Sequence, residues 1–165
     1  MQQVATNRDS AELRQPIDLP RTQQVEDFTV TLEKCEGRSS VVTCKLAVKN
    51  NGPECGFNIT SDQSILVDDL GRAVNGLWAK MDNAVEVTAG SRMLRGASLP
   101  ASLTFGYVSE NATKVTRLII KLSLTVPRPV RLLEFRNIPL EATPADPTPT
   151  PAKAATLTKG ASRSR

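Results

Sequence analysis

The chain has 165 residues, a net charge of +4, three cysteines and no histidine. The missing histidine excludes Ser-His-Asp and Cys-His catalysis, histidine-bearing zinc sites and an imidazole pH switch. Hydrophobic residues reach 39% but aromatics only 4%, so one domain's core must rest on Val, Leu and Ile.

Residues 1–26 carry Pro16 and Pro20, four acids and three bases, and few apolar side chains. They read as a flexible arm. The stretch from Met1 to Ser10 lacks a basic segment followed by an apolar one, so no signal peptide is expected in the chain as given. No run approaches the ~18 apolar residues of a membrane span.

Alternation dominates residues 27–140. Phe28, Val30 and Leu32 face one way while Thr29, Thr31 and Glu33 face the other, the mark of a half-buried strand. Val42, Cys44, Leu46 and Val48 repeat the pattern after a hairpin turn at 36–40, and Asn50-Asn51-Gly52-Pro53 ends it. Short strands are predicted at 55–60, 64–68, 73–78 and 84–88, with Asp68-Asp69-Leu70-Gly71 as a turn. In 101–108 the residues Leu103, Phe105 and Tyr107 share a side. The longest strand spans 114–126, with Leu118, Ile120, Leu122 and Leu124 as its core face. A last strand at 130–138, bracketed by prolines, reads as an edge strand. Seven to nine short strands without a useful helix imply an all-β fold. The preferred reading is an immunoglobulin-like antiparallel β-sandwich. A closed barrel would want more even strand lengths.

Residues 141–165 form a Pro/Thr/Ala-rich basic tail, in which Pro144, Pro147, Pro149 and Pro151 favour an extended spacer. Lys153, Lys159, Arg163 and Arg165 follow, with no acid among them. The tail solubilises, or it anchors weakly to nucleic acid or an anionic surface.

Cys35 and Cys44 flank the first hairpin. Pairing Leu32 with Leu46 sets Lys34, not Cys35, opposite Cys44, so a disulfide needs a β-bulge at Lys34 or Cys35. The alternative is two reduced thiols, with Cys44 a small buried apolar residue. A bridge would place the protein in an oxidising compartment, periplasmic or extracellular. Cys55 is left over. The cysteine spacing lacks a C-x-x-C pair, so no metal is expected.

One set of residues resembles a known group. Phe28, Val30, Leu32 and Cys35, then Val42, Cys44, Leu46, Val48 and Asn50, then Asp68 and Gly71, and finally Phe135-Arg136-Asn137-Ile138-Pro139-Leu140, look like uncharacterised bacterial immunoglobulin-like domains. The resemblance spans roughly residues 27–140. It implies a sandwich and a Cys35–Cys44 disulfide, and no activity.

Asp62, Asp68 and Asp69 are the carboxylates able to group. Turn chemistry, with an aspartate accepting backbone N–H groups, is favoured over a weak calcium site. Trp78 is expected in the core, its alternative being an exposed ligand platform. No phosphate loop or nucleophile elbow occurs, so neither enzyme activity nor a cofactor is expected. The function expected is a non-catalytic protein-interaction or structural module, an accessory subunit whose arms order on a protein partner. The alternative is ligand, carbohydrate or nucleic-acid binding through Trp78 or the basic tail.

Overall fold

A computed structural model describes residues 21–125 and 130–143. Every regular element in it is a strand: β1 (Thr22–Val25), β2 (Phe28–Arg38), β3 (Val41–Asn50), β4 (Cys55–Asp68), β5 (Ala73–Met81), β6 (Ala84–Glu86), β7 (Thr88–Met93), β8 (Ser98–Phe105), β9 (Lys114–Leu124) and β10 (Arg131–Ala142). The strands thus begin inside the segment read as an arm and run just past residue 140.

The strands do not form a sandwich. The order β4-β5-β8-β3-β2-β10-β9 returns to β4 and closes a seven-stranded barrel. This overturns the immunoglobulin-like expectation. Two junctions make the closure. Residues 65–67 of β4 pair with β5 on one edge and β9 on the other. The strand expected at the edge, β10, pairs with β9 along 131–139 and then with β2 at 140–142. The β10–β2 pairing is parallel, and the other ladders of the barrel are antiparallel.

Uneven strand length does not prevent closure, because short strands fill the forks. β1 takes the edge of β2 at 28–31 before β10 takes it at 35–37. Likewise, β7 takes the edge of β4 at 55–60 before β5 takes it at 65–67. No long edge is left on the barrel wall at these places, which is what closure accomplishes physically. The separate strands expected at 55–60 and 64–68 are one 14-residue strand with an irregularity between Thr60 and Ile65.

The bend that lets β10 change partners sits in the Phe135-to-Leu140 stretch. Asn137 has φ 52°, the left-handed region that asparagine tolerates. Ile138 remains buried, Pro139 gives up a donor where the strand is switching, and Leu140 opens the pairing with Cys35.

All four phenylalanines, Phe28, Phe57, Phe105 and Phe135, are buried in the core. The Phe28 and Phe57 rings lie 4.9 Å apart at 46°. Around them pack Val30, Leu32, Leu46, Leu103 and the expected β9 face, Leu118, Ile120, Leu122 and Leu124. Each such side chain contributes about 1.5–3 kcal/mol by leaving water. The scarce aromatics therefore divide sharply: phenylalanine fills the barrel, whereas the single Trp and single Tyr lie outside it.

Candidate interaction surfaces

One end of the barrel is organised by a buried carboxylate. Asp68 ends β4 and is only 1% exposed. Its Oδ1 accepts the backbone N–H groups of Leu70 (3.0 Å) and Arg72 (2.8 Å). Its Oδ2 accepts the N–H of Ser109, from the loop after β8, at 3.0 Å. Burial raises the Asp68 pKa, but the hydrogen bonds from Ser109, Arg72 and Leu70 outweigh it and the net direction is down. Asp69 points elsewhere: its carboxylate takes the Thr113 N–H and, at 2.6 Å, the Thr113 hydroxyl. The Thr113 hydroxyl is the main reason its pKa also falls. The two adjacent aspartates thus tie the 69–72 turn to the 106–113 loop. This is the expected turn chemistry, extended to a second loop.

Both tied loops expose a large apolar side chain. Leu70 is 62% exposed and Tyr107 is 73% exposed. Tyr107 was expected to share a side with Leu103 and Phe105, both of which are buried. Instead β8 stops at Phe105, and Tyr107 takes φ 61°. For a bulky residue that conformation is strained by about 1 kcal/mol or more. It is held from both sides. The Arg72 guanidinium donates to the Tyr107 carbonyl at 3.0 Å, and the buried Val108 donates its N–H to Ser40 O at 3.0 Å. Val41, also exposed, follows Ser40 at the same end. Nearby, a depression of ≈ 190 Å³ is lined by Ser39, Val42, Ser109, Glu110, Leu140 and Glu141, among others.

The second surface is the outer wall of β5, β8, β3 and β2. Trp78, expected in the core, is 47% exposed. The reason is a register shift in β5 between Gly76 and Trp78. It leaves Ala79 and Met81 pointing inward, so Trp78 and Lys80 point outward. Two cross-strand rows result. Trp78 lies opposite Thr104, which lies opposite Thr43, which lies opposite Glu36. Lys80 lies opposite Ser102, then Lys45, then Lys34. Beside the lysine row is a depression of ≈ 230 Å³ lined by Glu33, Lys45, Lys80, Asp82, Pro100 and Ser102 among others. Glu36 pairs with Lys34 at 2.6 Å and Lys45 at 2.8 Å. These lysines, Lys34 first, lower the Glu36 pKa, and Glu36 raises that of Lys34.

Cys35 and Cys44 are joined as a disulfide, with Cα atoms 4.0 Å apart and both side chains fully buried. The register needed for it comes from an irregularity between Leu32 and Lys34, which sets Cys35 opposite Cys44. Cys55 is free and half-buried. Asp62, Asp68 and Asp69 do not assemble a cation site. Among the described residues no group of three or more His, Cys, Asp or Glu is placed to hold a metal. No helix among them is long and apolar enough to cross a membrane. The candidate tail contacts Lys153, Lys159, Arg163 and Arg165 lie outside the described residues.

Sequence reasoning named Trp78 but missed Tyr107 and Leu70. The signal for Leu70 was its place in a turn. For Tyr107 there was Gly106, which follows the end of β8 at Phe105 and where a Cβ would meet the Leu77 side chain at 2.7 Å. Protein-family models, curated proteins and solved structures were each compared with the chain, and none matches it.

Proposed function

We propose that the chain is a non-catalytic protein-interaction module, an accessory or structural subunit of a larger assembly. The observation that carries this reading is the Asp68 end. There a buried carboxylate and a strained backbone hold Leu70 and Tyr107 in water, where neither contributes to the core. Fixed apolar side chains over a rigid scaffold suit a partner's apolar side chains, because little ordering entropy remains to be lost on binding. Tyrosine in particular offers large contact area with few rotatable bonds. The Cys35–Cys44 disulfide supports a place in an oxidising compartment.

The test joins identification to measurement. A photoreactive phenylalanine analogue at position 107 captures the neighbour in the cells that make the protein. The purified neighbour is then titrated against wild type, L70S and Y107G. Both variants should bind at least about tenfold more weakly, as buried aromatic and aliphatic anchors do. Y107G should also melt no lower than wild type, because glycine accepts the left-handed backbone. Unchanged affinity in both variants would reject this surface.

A further inference from the structure

We infer that the outer wall around Trp78 binds a neutral oligosaccharide. This surface is separate from the Asp68 end and the inference does not depend on that reading.

Three observations carry it. The first is the indole itself. The register shift after Gly76 turns the single tryptophan of the chain out of the barrel, onto a wall whose neighbouring row positions are the small hydroxyl residues Thr104 and Thr43. Small neighbours leave the ring's surroundings low, as stacking of a flat, weakly polar ring requires. Val85, opposite Lys80, is exposed on β6 and extends the apolar rim.

The second is the cleft beside it. Along β5, Trp78 and Lys80 alternate outward and Asp82 follows in the turn after Met81, so the platform and the far side of the cleft are at most about 13 Å apart. A di- or trisaccharide laid along β5 spans that distance. The Lys80 ammonium and the Asp82 carboxylate have no hydrogen-bond or ion-pair partner among the described residues. With the Ser102 hydroxyl they offer donors and acceptors of both kinds, which is what vicinal hydroxyl groups need. Asp82 is held at φ 52° with its N–H on Pro100 O, so its position is set by the turn.

The third is charge. Lys34, Lys45 and Lys80 on this wall are matched by Glu33, Glu36 and Asp82, and Glu36 already holds two of the lysines. A polyanion needs a surplus of positive charge along its track. The two rows and the cleft have none, since Arg38 and Lys49 stand further along the same wall, so an uncharged, polyhydroxylated ligand is favoured at the cleft over a nucleic acid.

The full chain supplies its own reporter, since Trp78 is the only tryptophan. Its emission is titrated with cellohexaose, chitohexaose, maltohexaose and, as the competing class, oligo-dT. One hexasaccharide should give a saturable blue shift that persists in high salt. W78F should retain part of the affinity measured calorimetrically, and W78A should lose at least about tenfold. D82N and K80M should each lose about tenfold through their missing hydrogen bonds. All three positions are on the surface, so melting temperatures of the four variants should stay close to wild type. No response to any hexasaccharide, binding that W78A leaves intact, or salt-sensitive binding of oligo-dT alone would each overturn the inference.

Discussion

Asp68 Oδ2 and the Ser109 backbone N–H meet at 3.0 Å although 41 positions separate the two residues in the chain. With the two bonds to Leu70 and Arg72, this makes Asp68 the point where the β4–β5 turn and the β8–β9 loop are fixed to each other. In D68N, an amide NH₂ would face at least one of these N–H donors. Loss of a charge-assisted bond and a buried mismatch should cost about 2–3 kcal/mol. Urea denaturation followed by circular dichroism measures it. A midpoint equal to wild type would remove the clamp from the account.

Stability should be nearly level between about pH 5 and pH 8, since no histidine titrates there. Acid should then destabilise. Asp68, Asp69, Glu36 and Glu134 all have lowered pKa values in the fold, Glu134 chiefly through Arg117. A lowered folded pKa means that the contribution is complete above the ordinary carboxylate value, near 3.8 for Asp and 4.5 for Glu. It drains away as pH falls through the lowered value. Melting temperature against pH should therefore fall only below about pH 4–5. A steep change between pH 6 and 7 would contradict this.

Unreduced, denatured protein should show one titratable thiol, Cys55, and three after reduction. The C35A/C44A variant should lose about 2–3 kcal/mol, the value expected for closing a short loop in the unfolded chain. Three thiols without reductant would show that the bridge does not form.

Gly76 lies where β5 parts from β4. A Cβ there would stand 2.6 Å from the Ser61 carbonyl oxygen, a backbone atom that cannot swing aside. G76A should destabilise by about 1–3 kcal/mol. It should also disturb the register shift that turns Trp78 outward, so tryptophan quenching by acrylamide should change together with stability. An unperturbed G76A would mean that the local backbone is looser than described.

Strand existence was legible wherever alternation was clean. Phe28, Val30 and Leu32 point inward as expected, and so do Leu118, Ile120, Leu122 and Leu124. Alternation reports which face of a strand is buried; it does not report which strands meet. The inner face of a barrel and the inner face of a sandwich produce the same pattern, so closure was invisible. Closure depends on Leu140–Ala142 reaching β2, a pairing of segments far apart in sequence. The two exposed aromatics were misread for a local reason. Trp78 and Lys80 share a face, and the lysine was the clue that this face meets water. Tyr107 continued the phase of Leu103 and Phe105, but Gly106 ended the strand before that phase could act. The disulfide was reachable because Cys35 and Cys44 flank one hairpin, but plain register arithmetic set Lys34 opposite Cys44, and only the irregularity between Leu32 and Lys34 brings the cysteines together.

The parallel meeting of β10 with β2 carries a consequence for how the molecule is made. Thr143 donates its N–H to Gly37 O across 106 positions of sequence, so the wall cannot be completed until residues 140–143 have been synthesised. Until then β2 offers an unpaired stretch at 35–37. Such distant pairing makes refolding slow. In a concentrated refolding mixture a neighbour's last strand fits the same three-residue slot. The by-product to expect is a dimer that has exchanged β10, stable once formed and absent from dilute preparations.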